Sequence, residues 1–322
     1  MTGILQFESL YQERVWGGRA LADLFDRTLP PGRVIGESWE IVDRPEAQSR
    51  VRRGPYAGES LRGLIVAHGA EVMGPQWPVD RPFPILVKWL DCRERLSLQV
   101  HPPAAQAPAL GGEPKTENWF IAGATPEAAI IVGLRPGVDR EQFERALDLG
   151  VLETCVNRLA VAAGDSVLVE SGTVHAIDAG NLILEIQQNS DTTYRVFDWG
   201  RTGLDGKPRT LHRREALASI LWDQPPPPLV RAAPVAAALA DCAEFSIRRQ
   251  PLARGARVAF AAGQQPRLLH VVHGRVGEAA TGVVLAGGDN VLLPYADGFT
   301  FTAVDDSLLL VTENFASGPR SA

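Results

Sequence analysis

Three observations predict a mainly β protein with few helices, divided into two β units. The chain holds 31 glycines and 24 prolines among 322 residues, and many stand singly between short apolar runs. That punctuation suits a turn-rich β protein better than a helical bundle. The run Leu-Ser-Leu-Gln-Val-His at 96–101 alternates strictly. A strand sends successive side chains to opposite faces, so Leu96, Leu98 and Val100 share one face and Ser97, Gln99 and His101 the other. A face carrying a hydroxyl, an amide and an imidazole suits gripping a ligand better than meeting water. This strand is expected to supply part of a metal site inside a β-barrel. Finally, prolines occupy every position of 225–228, and such a run cannot continue a helix and favours a stiff extended linker. A chain of this length is expected to hold two domains. The division predicted is a larger domain over 1–224, a linker over 225–230 and a smaller β domain over 231–322.

Taken in order, residues 4–10 read as a short strand, and Trp16-Gly17-Gly18 leads into a helix on which Leu21, Leu24 and Phe25 share a face. Residues 36–41 resume the β pattern and 50–53 read as a further short strand. Residues 60–68 read as a helix with Leu61, Leu64 and Ile65 inward and Ser60 as its N-cap. A mostly apolar strand over 84–90, buried on both faces, precedes the 96–101 strand by a short turn. Pro102-Pro103 stops that strand, and 104–112 form a loop or small helix. Strands follow over 115–120 and 128–132. A helix over 139–149 turns Phe143, Ala146 and Leu147 inward and ends at Gly150. Gly164-Asp165 turns into a strand over 166–170, and Ser171-Gly172-Thr173 turns again to deliver His175. Strands over 181–187 and 193–199 and a helix over 210–222 complete the larger unit. Beyond the prolines only β-like runs remain, over 245–249, 266–273, 282–285, 291–294 and 307–311. They read as a small accessory β-sandwich in which His270 and His273 lack carboxylate partners.

Charge and cysteine usage narrow the classes of function. The formal net charge is −6 with no basic block, which excludes a nucleic-acid footprint. Basic residues are almost all arginine; the only lysines are Lys88, Lys115 and Lys207, so each deserves scrutiny as a site residue. The 3 cysteines, Cys92, Cys155 and Cys242, are scattered, which argues against a disulfide framework and a thiolate metal site. The N-terminus carries acidic residues where a signal peptide needs an apolar core, and no apolar run is long enough to span a membrane. A reducing cytoplasm is the expected location, with no membrane and no nucleic-acid partner.

Four residues offer metal-binding atoms: Gln99 and His101 two apart on one strand, Glu117 after a loop and His175 after a turn. Lys115-Thr116-Glu117 repeats the same parity with a cation and a carboxylate. Two imidazoles, a carboxylate and an amide oxygen form a mixed set that suits Zn²⁺ in a catalytic site, and Fe²⁺, Mn²⁺ or Co²⁺ as well. Each member also has an ordinary reading: a histidine beside a turn can be structural, and Glu117 can lie at the surface. Two later strands favour the site. Glu185 holds the polar parity among Leu182, Leu184 and Ile186, and Arg195 shares a face with Thr193 and Phe197. Buried charges need partners, and a shared cavity supplies them.

The segments Leu-Ser-Leu-Gln-Val-His-Pro at 96–102, Lys-Thr-Glu-Asn-Trp at 115–119, Ser-Gly-Thr-Val-His-Ala at 171–176 and Gln-Asn-Ser-Asp-Thr-Thr-Tyr-Arg-Val-Phe-Asp-Trp at 188–199 resemble the type I mannose-6-phosphate isomerases in their short bacterial form. Val15-Trp16-Gly17-Gly18 and Gly36-Glu37-Ser38-Trp39 match as well. The resemblance covers residues 1–222 well and the remainder only in general character. It implies a cupin (jelly-roll β-barrel) catalytic domain with a smaller C-terminal β-sandwich or cupin-like domain. It also implies one zinc ion per chain on Gln99, His101, Glu117 and His175, with Arg195 as the active-site arginine and Ser97, Lys115 and Glu185 lining a sugar-phosphate pocket. Pro103-Ala104 departs from the two acidic residues usual after the His-Pro pair, which is expected to alter the loop and not the metal.

The implied reaction is mannose 6-phosphate ⇌ fructose 6-phosphate through a cis-enediol, by a monomer or small homo-oligomer. Arg195 is expected to neutralise the enediolate, and Lys115 and Ser97 to hold the phosphate. The base is either Glu185, whose pKa burial raises, or a water on the metal. Two other classes stay open. A cupin oxygenase also uses two histidines and a carboxylate, though Lys115 and Arg195 favour an anionic substrate, and oxygen consumption separates the two. A non-catalytic sugar-phosphate-binding cupin would bind without turnover.

Overall fold

The computed structural model describes residues 3–316, which form 24 strands and four α-helices, in keeping with the mainly β expectation. The segments of the candidate site lie in two sheets. One has seven antiparallel strands in the order Leu229–Val230, Ser166–Val169, Glu117–Ala124, Asn181–Gln188, Ile85–Cys92, Ile35–Ile41, Leu10–Gly18. The other has five, in the order Val156–Ala160, Ala129–Leu134, His175–Ile177, Leu98–Val100, Tyr194–Phe197. Among the described residues no sheet closes into a barrel, so the expected barrel is an open, cupin-like pair of facing sheets. The chain passes between the sheets through loops, and no ladder runs on from one sheet into the other. The short connection after Ile85–Cys92, for example, carries the chain across to Leu98–Val100 on the opposing sheet.

Packing follows the alternation. Trp119, Ile121, Ile183 and Leu90 of the seven-stranded sheet meet Ile130, Val132 and Ile177 of the five-stranded sheet in a shared interior. Leu98 and Val100 point the other way, into an apolar layer with Phe143 and Ala146 of the helix Arg140–Leu149 and Leu217 of the helix Arg213–Ser219. Fully burying each such side chain contributes about 1.5–3 kcal/mol, which fixes the orientation of that strand and hence of Gln99 on its other face. The outer face of the seven-stranded sheet, with Val87, Trp89, Leu184 and Ile186, packs on Leu61, Leu64 and Ile65 of the helix Leu61–Val72 and on Leu268, Leu292 and Leu310. That helix starts as expected, the Ser60 hydroxyl accepting from the Gly63 amide.

The C-terminal part forms a six-stranded and a four-stranded sheet around Leu269, Val271, Phe301 and Leu309. The six-stranded sheet also takes in Leu5–Gln6 from the N-terminus, paired with Asn290–Leu293. His270 lies buried between Asn290 and Thr312 with no carboxylate. The stretch 225–230 is not free-standing: Leu229–Val230 pairs with Ser166–Val169, and Pro226 abuts Gly133.

Several element bounds differ from the sequence expectation. The 96–101 strand pairs only over Leu98–Val100. The helix expected over 210–222 spans Arg213–Ser219, because the His212 amide is drawn to the Arg195 carbonyl as an added rung. The first helix has only six residues, Ala20–Phe25, and leaves Leu24 61% exposed. The strand Leu10–Gly18 has no counterpart in the expected pattern; its run of polar side chains hides the alternation.

Candidate metal centre and cavity

Backbone pairing brings the distant segments together. His175 and Arg195 each lie directly across from Gln99, on the strands either side of it. Opposed residues of an antiparallel pair project to the same face, so His175, Gln99 and Arg195 form one row on the inner face of the five-stranded sheet. On the facing sheet Glu117 lies across from Gln187, and Glu185 lies between Trp119 and Lys88. His101 follows its strand, and its carbonyl accepts from the Gly172 amide at 2.8 Å. Gly172 has φ +95, and a Cβ there would stand 2.6 Å from Leu221, so the turn that delivers His175 requires glycine.

His101, Glu117 and His175 converge, with one potential ligand atom from each within 4.8 Å of the others. All three are buried. The Nε2 of His101 stands 3.4 Å from Glu117 Oε2, and that of His175 stands 3.5 Å from Oε1. The outer nitrogens are both committed: His101 Nδ1 is 2.7 Å from the Thr192 carbonyl, and His175 Nδ1 is 2.8 Å from that of Thr173. A carbonyl only accepts, so each Nδ1 carries the proton and each Nε2 presents its lone pair inward. This is the arrangement by which a second hydrogen bond orients a metal-ligating imidazole.

Protonation matches that purpose. Burial, reinforced by the Lys115 ammonium, holds the His101 pKa down to about 3, and burial also lowers that of His175. Burial pushes the Glu117 carboxyl upward, but Lys115 and the imidazoles outweigh it and keep the group well below the ordinary range. The set is therefore two neutral imidazoles and a carboxylate, the state that metal binding demands. Glu117 Oε1 and His175 Nε2 are buried without a hydrogen-bond partner. Unsatisfied polar atoms at such depth are costly, and a divalent cation satisfies both. The residues fit a metal, and the N/O donors fit a first-row ion of the zinc type.

Beside the triad lies a cavity of about 440 Å³ lined by Ser97, Gln99, Lys115, Glu185 and Arg195 together with Lys88 and Glu37. Lys115 Nζ donates to Glu117 Oε2 at 2.5 Å and stands 3.3 Å from His101 Nε2 and 3.9 Å from Glu185 Oε1. Glu185 Oε2 accepts from Trp119 Nε1 at 3.1 Å, and Lys88 Nζ is 3.6 Å from Oε1. Burial raises the Glu185 pKa against the pull of Lys115 and Lys88. Arg195 Nη1 donates to the Thr210 carbonyl at 2.8 Å, while its Nε is buried without a partner.

Lys88, Glu37, Arg14, Asp191 and Arg209 also line this cavity, and sequence reasoning did not assign them. Lys88 is held between Glu37 and Asp191, each at 4.0 Å, and over the Trp39 ring at 4.9 Å. Arg14 grips Glu37 with two hydrogen bonds of 2.9 and 3.1 Å. Against burial, Lys88 and Arg14 bring the Glu37 pKa to about 2. The signal for Lys88 was present: a rare lysine in an apolar strand. Arg14 and Arg209 stand among other exposed-looking arginines and carried none. The lining holds five cations (Arg14, Lys88, Lys115, Arg195, Arg209) against three carboxylates (Glu37, Glu185, Asp191), a positive excess suited to a polyanionic ligand.

Comparison with known proteins accords with this geometry. Residues 4–133 match the family described as phosphomannose isomerase type I, catalytic domain. The mannose-6-phosphate isomerase ManA of Bacillus subtilis is 37% identical over 304 residues, 91% of this chain and 94% of that protein. The probable mannose-6-phosphate isomerase GmuF of the same organism is 39% identical over 222 residues, 68% of this chain and 69% of that protein. A crystal structure of a mannose 6-phosphate isomerase from Bacillus subtilis superposes with a TM-score of 0.83 at 29% identity, covering 97% of this chain and 99% of that one.

Proposed function

The chain belongs to the type I phosphomannose isomerase family, and on that premise we propose that it interconverts mannose 6-phosphate and fructose 6-phosphate with one zinc ion per chain. It is a metal-dependent aldose–ketose isomerase. One observation carries the reading: a buried His101–Glu117–His175 cluster with orphaned ligand atoms adjoins a cavity whose lining is cationic in excess. The fold reading that accompanies it is a jelly-roll catalytic unit over 1–224, a linker over 225–230 and an accessory β unit over 231–322.

His101, Glu117 and His175 hold the ion, with Gln99 as the fourth ligand; the register of Gln99 opposite His175 supports this. When bound, zinc supplies a Lewis acid and template for the carbonyl and its neighbouring hydroxyl. Glu185 serves as the base. It takes the proton from C2 of the open-chain aldose and returns it to C1, while the proton of the C2 hydroxyl passes to the C1 oxygen. Its raised pKa makes it a stronger base; the Trp119 N–H holds Oε2, and Oε1, with Lys88 at 3.6 Å and Lys115 at 3.9 Å, is the oxygen that takes the proton. Arg195 neutralises the enediolate in a water-poor cavity, where such a charge counts most. Lys115, between Glu117 and Glu185, balances the local negative charge and contacts substrate at the reacting end, and Ser97 lines the sugar path.

Among the described residues no helix is long and apolar enough to cross a membrane, and Cys92 and Cys155 are buried thiols. Free, buried thiols fit a reducing cytoplasm, and the proposed assembly is a monomer or small homo-oligomer. The test is a coupled assay for fructose 6-phosphate formed from mannose 6-phosphate, run with and without chelator. Turnover that stops on chelation and returns with zinc is the expected result. Binding without turnover by the zinc-loaded protein refutes the proposal.

A further inference from the structure

Past Arg195, the cavity wall holds a charge cluster that the metal chemistry does not use. Asp198 is buried, and its carboxylate accepts from Arg209 through both Nε, at 2.7 Å, and Nη2, and from Arg201 Nη2 at 2.8 Å. Arg195 docks on the same segment through the Thr210 carbonyl. Two guanidiniums thus share one carboxylate, with Arg195 held nearby on the same segment. The Nε atoms of Arg195 and Arg201 are buried with no partner, and Arg195 and Arg209 both line the cavity. The cluster is rigidly mounted. Trp199 adopts φ 57, its Nε1 donates to the Leu96 carbonyl at 2.7 Å, and Arg95 lies over its ring at 4.6 Å. Arg201 Nη1 donates to the Arg95 carbonyl. The segment that opens the Gln99 strand is therefore tied to the arginines.

We propose that Arg209 anchors the phosphate of the substrate and that Asp198 is the positioning residue that aims it. The inference rests on the hexose 6-phosphate reading above and deepens it. Arg201 and Arg209 together outweigh the single charge of Asp198, and the edge of the Arg209 guanidinium that Asp198 leaves free offers phosphate oxygens N–H donors in a fixed plane. Distance agrees. His175, Gln99 and Arg195 lie on three adjacent strands, so with strands about 4.8 Å apart the row extends about 10 Å from the metal end. A substrate reacting at C1 and C2 carries its phosphate on C6, at the other end of the open chain. Lys115, expected from the sequence to hold the phosphate with Ser97, is bound to Glu117 at the reacting end, and Arg195 serves the enediolate, so the phosphate falls to Arg209.

The test compares wild type, Arg209→Gln, Arg209→Lys and Asp198→Asn as zinc-loaded full chains. Inorganic phosphate affinity is read by calorimetry, and KM and kcat are measured with mannose 6-phosphate. Loss of one charged hydrogen-bonding partner weakens binding roughly 10- to 100-fold. That loss is expected in both phosphate affinity and KM for Arg209→Gln, with Arg209→Lys intermediate. Asp198→Asn is expected to raise KM more than it lowers kcat, with zinc content unchanged. A merely structural role would move kcat and zinc content together. Phosphate affinity equal to wild type in Arg209→Gln, or a fall in affinity without a rise in KM, overturns the proposal. If Asp198→Asn does not fold, Arg209→Gln decides. If the wild type makes no fructose 6-phosphate, the functional reading fails, and the affinity comparison still decides the anchor.

Discussion

Replacing Glu117 by glutamine keeps the shape of the side chain and removes its charge. In the metal-free protein its carboxylate is the close partner of Lys115, at 2.5 Å, with the two side chains 1% and 5% exposed. Removing one member of a buried ion pair costs about 3–5 kcal/mol because the survivor is left uncompensated. Glu185, 3.9 Å from Lys115, takes up part of that charge, so the lower end applies and about 3 kcal/mol is expected. Urea denaturation at neutral pH in chelator measures the difference. Adding zinc at 100 times the wild-type Kd stabilises the wild type by about 2.7 kcal/mol, whereas a variant that binds 100-fold more weakly gains only about 0.4 kcal/mol. The acid dependence has a definite sign. Because Lys115 and the imidazoles depress the Glu117 pKa against burial, its contribution is present above the ordinary glutamate value and is lost as pH falls through the lower folded value. The gap between wild type and variant should narrow on acidification. A chelated variant as stable as the wild type, with the same gain from zinc, would refute both the ion pair and the ligand assignment.

Three further substitutions test separate parts of the site. His175→Ala removes a direct ligand, so zinc affinity is expected to fall by more than the roughly 10- to 100-fold that outer-shell losses cost, and isomerase activity with it; a variant retaining metal by elemental analysis and activity by coupled assay would contradict the site. Arg195→Ala is expected to keep its metal and lose about 10²–10³ in kcat, the scale of one oxyanion-stabilising donor; wild-type turnover would remove Arg195 from the chemistry. Lys88→Met withdraws a cation whose charge lowers the Glu185 pKa. That pKa should rise further, and the acid limb of the kcat/KM profile should move to higher pH, since a base works above its pKa. An unmoved limb would show that Glu185 is not the titrating base.

The roles of individual side chains divide according to the range of the interaction that sets them. Alternation is local, and it put Gln99 on one face and Leu98 and Val100 on the other, as the packing of those two side chains against the helices Arg140–Leu149 and Arg213–Ser219 bears out; Leu96, expected beside them, instead lines the cavity, because strand pairing begins only at Leu98. Glycine at 172 and the residues around it announced a turn that delivers His175. The polar parity of Glu185 inside an apolar strand was equally legible, because a buried charge stands out against its neighbours. The company each residue keeps was not legible. Glu117 meets His101 and His175 because two sheets face each other, and Lys88 meets Glu37 because Ile85–Cys92 pairs with Ile35–Ile41. Arg14 and Arg209 have the appearance of surface residues in the chain and become cavity walls only when distant segments are stacked, with Asp198 the buried partner of Arg209. Side-chain direction is a property of a few consecutive dihedrals, whereas charge pairing and cavity shape depend on contacts between segments far apart in the chain, and only the assembled sheets decide those.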